Sequence, residues 1–534
     1  MANLENLRYS LISPEGLFHP KVTLISASQT TLPIDQFTPE QLIDVNSLKV
    51  FSSAAAQTCY SDKLHTPLDY LVKGQDYQKS ADRIAASVDR AGHHSTIEHM
   101  VYQFGIVGVS RQASAILNDI CFYVTDQQSQ RYVEMKPNST IPVNFGTPEA
   151  NQLAANLIKK LFQTYDCLNQ ILRPTIQSAY QERYGKIDEK AIDKLTQEVS
   201  RYVLPQSVST NLTYSINALT LIRLHYLQNT FGPEVKSIIQ SMVEAVCLHD
   251  PSVKRYLRQP LETDNTTQSP VIRQNLPLWY PNSPVNLDPD MNVTHQLNKI
   301  AKAVRQYKGQ TLQDLPDIQA LDLVLNPQKN PYLTSAFNPG VIDPLTKTLN
   351  HGIIDFDTVL SLSADAQLQR HRSMDQTKPS QTPIPTQTDH FYIPDIIRQN
   401  PQALELYLQA MTQASQVMVR LVDSGVPQSQ VRYLAPNATL ITKQVSAPFL
   451  GLLHFLNQRS CYRAQIEIHN IAIEVAKQIQ RRDEHKIISP HLEHITPCSL
   501  RFSCNQTPYC PEGKQWCGIE NWKNSLNTLP QRRI

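Results

Sequence analysis

One order of elements occurs twice in this 534-residue chain, and that repetition restricts the fold more than any other feature. An apolar, strand-like run ("MVYQFGIVGVS" at 100–110, "IIDFDTVLSLS" at 353–363) leads into a polar turn. A long amphipathic helical pattern follows ("EANQLAANLIKKLFQTYDCLNQILR", "PQALELYLQAMTQASQVMVRLVDSG"), and then an Arg-Tyr-x-x-Pro element at 201–205 and at 432–436. Each copy closes on another strand-like stretch and a further helix. Order-preserving self-similarity of this kind is the mark of a duplicated domain. The copies have diverged: the first carries an extra "QERYGKIDEKAIDKLTQE" before its Arg-Tyr. Between them, residues 257–292 are rich in Pro, Asn and Asp with little periodicity, which reads as a linker.

Composition narrows the function classes. Glycine is scarce, at 15, and neither G-x-G-x-x-G nor G-x-x-x-x-G-K-[ST] occurs, so a Rossmann dinucleotide site and a P-loop are both unsupported. Any phosphate must then be held by side chains. A net charge of +2 argues against a broad nucleic-acid face. No run of about 18 apolar residues is present, and the opening "MANLENLRYSLISPEG" lacks a basic segment followed by an apolar core. The expectation is a cytoplasmic protein that meets neither membrane nor nucleic acid.

Four stretches carry chemistry. "AGHHSTIEHM" holds His93, Ser95, Glu98 and His99; without a His-Glu-x-x-His signature it is no metal motif, and a capping turn accounts for it equally. "DQQSQRYVEM" places Ser129 and Arg131 in a polar loop, where a guanidinium suits a bidentate phosphate contact or simply faces water. In "AQLQRHRSMDQ" the triplet Arg370-His371-Arg372 follows Gln367, and adjacent side chains on an extended segment alternate faces, so the triplet suits more than one ligand or different parts of a large one. Surface charge explains such a triplet as readily. "RSCYRAQIEIHNIA" reads as one helix with Arg459 and Arg463 a turn apart and Gln465, Glu467 and His469 beyond.

In combination these stretches resemble the flavin-dependent thymidylate synthase (ThyX) family. The pattern runs His-x-[ST]-x-x-Glu-His, a strand, Ser-Arg with Gln-x-x-Arg-His-Arg, a Ser-x-Arg-Tyr loop, Arg-x-x-Leu-Pro, and a helix ending in Ala-Gln-x-Glu-Ile. Residues 45–250 and 330–480 follow that order, with complementary departures. The first half keeps Ser110-Arg111 and Ser129-Gln-Arg131-Tyr132 but has Ile116 for the Gln and Asp119-Ile120-Cys121 for Arg-His-Arg. The second keeps Gln367 and Arg370-His371-Arg372 but has Ser380-Gln381-Thr382-Pro383 for the loop and Leu349 near the place of the Glu. Arg201 and Arg432 both precede their prolines; Asn217 faces Pro448, and Arg459 faces Gln228. Leu219 stands where the family often has an Arg, and Ala464-Gln465-x-Glu467-Ile468 is read only in the second half.

The resemblance implies an α+β fold of two tandem domains, each a twisted, mainly antiparallel sheet with packed helices, at 1–256 and 293–485, with a cysteine-containing tail at 486–534. It implies an FAD-dependent methyltransferase that converts dUMP to dTMP, with methylenetetrahydrofolate and NADPH as co-substrates. Family members are homotetramers whose sites draw on several subunits, which implies here a homodimer acting as a pseudo-tetramer with composite sites. The alternative is an inactive or repurposed flavin- or nucleotide-binding relative. Substrate contacts are expected from Gln367, Arg370, Ser129, Arg131, Arg201, Arg432 and Arg459, with Arg459 and Arg370 at the reacting end. Flavin contacts are expected from His93, Ser95, Glu98, Asn217, Arg370, His371 and Arg372. No metal is assigned to the active site. The tail cysteines Cys498, Cys504, Cys510 and Cys517 lack C-x-x-C knuckles, and zinc, unliganded thiols and a redox or disulfide role all remain open for them.

Overall fold

The computed structural model describes residues 11–12, 18–29, 46–120, 123–262 and 271–532, so Cys121 and part of the linker, 263–270, lie outside the described residues. The fold is α+β, with two four-stranded antiparallel sheets of identical topology. The first contains β1 (Lys21–Ala27), β2 (Val101–Ser110), β3 (Tyr123–Gln127) and β4 (Ser209–Asn217), in the order β1-β2-β4-β3. The second contains β5 (Val285–Leu287), β6 (Ile353–Ser361), β7 (Asp375–Thr377) and β8 (Leu440–Pro448), in the order β5-β6-β8-β7. The long central pairs are β2 with β4 and β6 with β8. Alternation selects the buried face: Tyr102, Phe104 and Ile106 point inward from β2, and Ile354 and Phe356 from β6. Part of the Pro- and Asn-rich stretch read as linker is therefore a strand. Val285–Leu287 pairs with β6 at the edge of the sheet, where neighbouring prolines cost no ladder bonds.

The chain divides into two compact units that cut across the sequence halves. Unit 1 comprises Met1–Ser129, Met135–Asn151 and Gln206–Pro270; unit 2 comprises Gln130–Glu134, Gln152–Pro205 and Val271–Ile534. The core of unit 1 gathers Tyr102, Phe104, Tyr214, Ile238 and Met242 beneath its sheet. The core of unit 2 gathers Phe356, Val445, Phe449, Phe455, Ile468 and Val475. Unit 2 also takes up most of the first half's long helix (Pro148–Tyr184), the helix Glu189–Ser200 formed by the extra segment, and the first Arg-Tyr-x-x-Pro element. There the two copies of that element meet. Pro205 and Pro436 form an antiparallel bridge, Asn437 N donates to Leu204 O at 2.8 Å, and Ala438 N donates to Tyr202 O at 2.8 Å. Asn437 Nδ2 adds a bond to Arg201 O at 2.8 Å. Among the described residues no helix is long and apolar enough to cross a membrane.

Each unit is pinned by the same device. The strand β2 ends at Ser110, whose Oγ caps the helix Arg111–Leu117 by accepting from Ala113 N at 2.9 Å. Ser110 N and Oγ in turn donate to the two oxygens of Glu234, at 2.8 and 2.6 Å. In unit 2, Ser361 caps the helix Leu362–Leu368, and its N and Oγ donate to Glu467 at 2.7 and 2.6 Å. Both carboxylates sit in the first turn of a later helix, Pro233–His249 or Ile466–Arg481, where the helix dipole favours negative charge. The Glu of the helix motif, read as present only in the second half, is thus present in both. Its flanking residues hid it, because Gly232-Pro233 replaces Gln465-Ile466. Removing either carboxylate strands at least two donors in a buried site. Glu234→Ala and Glu467→Ala should each destabilise their own unit by about 3 kcal/mol. Hydrogen exchange along β2 or β6 should read this as a loss of protection confined to the unit that carries the change.

Candidate functional site

Within unit 2, residues from both sequence halves surround Gln465, which is 2 % exposed. Arg201 Nη2 donates to Gln465 Oε1 at 2.5 Å, and Gln367 Nε2 donates to the same oxygen. Gln465 Nε2 donates to Tyr202 Oη, and Tyr202 Oη donates to Glu467 Oε2 at 2.7 Å. A glutamine suits this place because it offers one acceptor and one donor group, so it joins a cation to a phenol without adding charge.

The sequence reading of 459–472 as one helix is corrected here. The helix Phe449–Arg459 stops, a turn spans 460–465, and a new helix begins at Ile466. The break persists because side chains take up carbonyls that a helix would otherwise satisfy. Arg459 O accepts from His469 Nδ1 at 3.2 Å, Arg463 O from Arg131 Nη2 at 2.9 Å, and Ala464 O from Arg532 Nη1. Arg459 and Arg463 therefore do not share a helix face.

Three guanidinium groups crowd the same part of unit 2. Arg131 is anchored by Glu198, Nε to Oε2 at 2.6 Å, and Glu198 comes from the extra segment of the first half. Arg459 Nε donates to His371 Nε2 at 2.8 Å, and its Nη2 donates to Gln367 O at 3.0 Å. Burial, with the charges of Arg131 and Arg370, brings Arg459 down to about 10. Burial, reinforced by Arg459 and His454, holds His371 well below 6.5, so it is a neutral imidazole that accepts from a cation. Arg201 is lowered chiefly by burial, and Glu467 is raised by burial against the pull of Ser361, Tyr202 and Arg201. Arg201 Nε, Gln367 Oε1 and His371 Nδ1 are buried without a hydrogen-bond partner. The helix carrying Gln367 is fixed from below by buried Asp365, which bridges Lys443 and Lys378. Burial opposes ionisation of that carboxyl, but the two ammonium groups prevail and lower it to about 2.

Of the residues singled out in the sequence, Arg201, Gln367, His371 and Arg459 are brought together by direct bonds or shared partners, and Arg131 lies close enough to act on Arg459 and Arg201. Arg370 lies close enough to act on Arg459. Arg370 and Arg372 are exposed, whereas Arg432 is buried in the Arg-Tyr-x-x-Pro pairing segment. His93, Ser95 and Glu98 are exposed on unit 1, where Ser95 O accepts from Glu98 N at 3.2 Å. Asn217 of unit 1 caps the helix Ala218–Leu227 through Thr220 N at 2.8 Å, and Ser129 is half-buried at the end of a unit 1 segment. Glu198 went unnoticed because it lies in a charged segment without periodic partners; only its position just ahead of the Arg-Tyr element hinted at a role. Among the described residues no three His, Cys, Asp or Glu side chains are placed to hold a metal ion as they stand. Cys504 is also displaced from the other tail cysteines: Cys498, Cys510 and Cys517 line one cavity with Cys461, and Cys504 does not.

The buried imidazoles set the acid stability of this unit. Burial, with Arg532 nearby, brings His469 down to about 3, and His371 is also lowered from 6.5. The unfolded chain thus binds more protons than the folded one between pH 6.5 and about 3, so stability is full above pH 6.5 and falls as pH drops through that window. The Asp365 contribution, present above 3.8, is lost later, as pH falls to about 2. Thermal unfolding followed from pH 7.5 to 4.5, an interval of about three units, should show this decline, and His469→Gln should flatten it.

The family model described as "Thymidylate synthase complementing protein" matches this chain twice, at residues 41–252 and 296–483. A flavin-dependent thymidylate synthase of Thermococcus onnurineus is 30 % identical over 31 % of this chain and 67 % of its own length. One of Thermococcus kodakarensis is 32 % identical over 28 % of this chain, and the match spans 60 % of that relative, less than two thirds. A solved UMP/dUMP methylase, PolB from Streptomyces cacaoi bound with 5-Br dUMP, aligns over 44 % of this chain and 93 % of its own at 15 % identity and a TM-score of 0.28.

Proposed function

This chain belongs to the thymidylate synthase complementing protein family, and from that premise we propose that it is a flavin-dependent thymidylate synthase with a site built from both of its sequence halves. The reaction is reductive methylation of dUMP to dTMP, with methylenetetrahydrofolate as carbon donor and NADPH as reductant. Bound FAD supplies the hydride chemistry, so the chain needs no nucleophile of its own and works by binding, orientation and charge placement.

The observation that carries this reading is the set of like charges around Arg459. Burial is the larger cause that brings Arg459 down to about 10, and the charges of Arg131 and Arg370 add to it. Glu198 offsets only the Arg131 member by direct contact. Cations held together against their own repulsion suit a dianion, and the dUMP phosphate is one, matched to guanidinium forks. In this reading Arg131, Arg370, Arg459 and Gln367 take the phosphate. Arg201, fixed by Gln465, faces the pyrimidine carbonyls, where a cation stabilises charge developing on the ring. Arg432 and Ser129 are assigned supporting substrate contacts. The fit to a flavin rests on unsatisfied polar atoms: His371 Nδ1 and Arg201 Nε are buried donors without partners. His371, Arg370 and Arg372 of unit 2 are assigned to the flavin; for His93, Ser95, Glu98 and Asn217 of unit 1 the flavin assignment rests on the resemblance alone.

The second reading, a non-catalytic binder, has one observation in its favour. Leu219, at a position where the resemblance calls for an Arg, is buried at 4 % exposure in the unit 1 core and is unavailable to a ligand. Arg131→Ala and Arg459→Ala should each reduce dTMP formation by about 10²-fold or more, as loss of a charge-placing donor does. A mixture of the two variants should regain nothing if both arginines serve one unit of one chain. Full activity in Arg131→Ala sinks the composite site, whereas active-site-intact protein that stays colourless with FAD favours the binder.

A further inference from the structure

The cavity beside the turn 460–465 is lined by cysteines from three separate segments: Cys461 of the turn itself, Cys498 of the helix Pro497–Ser503, and Cys510 and Cys517 of the tail loops. We propose that Cys461, Cys498, Cys510 and Cys517 form a tetrahedral zinc site that clamps the tail onto the turn carrying the candidate active-site residues. This inference does not rest on the thymidylate synthase reading.

Geometry supports it in four ways. The void between these cysteines is about 10 Å³, room for one ion and little more. Cys498 and Cys517 are buried, at 9 % and 7 % exposure. Donors already lie beside the sulfurs: Asn521 Nδ2 is 3.9 Å from Cys517 Sγ, and the backbone amides of Arg463 and Glu512 are near enough to favour the thiolate forms of Cys461 and Cys510. Such N–H groups stabilise thiolate ligands from the outer shell. Asn521 also lines the cavity, is 2 % exposed, and leaves its Oδ1 without a partner. The loops turn where ligand knuckles need them to, with Gly513 at φ +53° shortly after Cys510 and Gly518 at φ +79° directly after Cys517.

The thiols line the void without converging on one point. A change of χ1 rotamer redirects a cysteine sulfur without moving the backbone, and four thiolates around a small void select zinc by ligand type and geometry. Ligation releases the thiol protons to solvent, and four thiolates on a dication leave a net charge of −2. Arg532 and Arg501 are near enough to act on Cys461 and Cys510 and offset it. The consequence is positional. The turn 460–465 supplies Gln465 to Arg201 and the Arg463 carbonyl to Arg131, so a metal on Cys461 would hold both contacts in register.

Metal analysis of the full chain, purified under reducing conditions, tests this. The expected result is about one zinc per chain, and the cobalt-exchanged protein should show thiolate-to-cobalt charge-transfer bands with intense tetrahedral d–d absorption. Cys461→Ser and Cys517→Ser should lose the metal by about tenfold or more in affinity, whereas Cys504→Ser should keep it. Hydrogen exchange at 460–465 should rise when zinc is stripped by chelator. Folded wild-type protein that takes up neither zinc nor cobalt overturns the proposal. So does a disulfide between any two of the four thiols in the metal-free protein, bound iron in place of zinc, or loss of metal in Cys504→Ser with retention in Cys461→Ser.

Discussion

A buried carboxylate is the point on which unit 2 turns. Glu467, at 4 % exposure, accepts from Ser361 N, Ser361 Oγ and Tyr202 Oη. Those donors come from the end of β6, the cap of the helix that carries Gln367, and the first Arg-Tyr-x-x-Pro element. A charge so deeply placed is tolerated only when its lone pairs are filled, so the three segments are obliged to meet there. Gln465, two residues earlier, then meets Arg201 and Gln367. The contacts of Arg201 and Gln367 on Gln465 thus sit next to that clasp.

The same acid-on-serine clasp in unit 1, Glu234 on Ser110, lacks the attachments that give its counterpart a site. No Arg-His-Arg follows the capped helix in that half, and Leu219 occupies core space. The clasp stabilises the strand-to-helix junction whether or not a ligand is present. Unit 2 takes in the first half's Arg131, Glu198, Arg201 and Tyr202, the residues that its own copy lacks or uses differently. Of the residues retained in the first half, Arg131 and Arg201 thus enter unit 2, whereas His93, Ser95, Glu98, Ser129 and Asn217 stay in unit 1.

Parts of this were legible without coordinates. The repeated order predicted a duplicated domain, the resemblance implied an antiparallel sheet in each copy, and the Arg-Tyr-x-x-Pro elements, Gln367, Arg459 and Arg131 stood out by residue type and spacing. Other parts were hidden for physical reasons. The break at 460–465 has no Gly or Pro to announce it, since distant side chains hold its carbonyls. Glu198 and Glu234 look like ordinary solvated acids until their partners arrive from 67 and 124 residues away. Cys504 fitted the regular cysteine spacing of the tail, yet the cavity takes Cys461, which precedes that tail and belongs to the turn.

The amino-acid sequence by itself determined the duplication, the mixed α and β character, the lack of glycine-rich phosphate loops, and which residues could hold an anion. These depend on local pattern and side-chain chemistry, which any stretch of chain carries with it. Only the tertiary structure decided that segments of the first half join the unit of the second, that the two Arg-Tyr-x-x-Pro segments pair, and that Arg131, Arg370 and Arg459 share one electrostatic neighbourhood. Those outcomes rest on burial: a carboxylate, an amide and several guanidinium groups removed from water must find partners, and the partners lie far off in the chain.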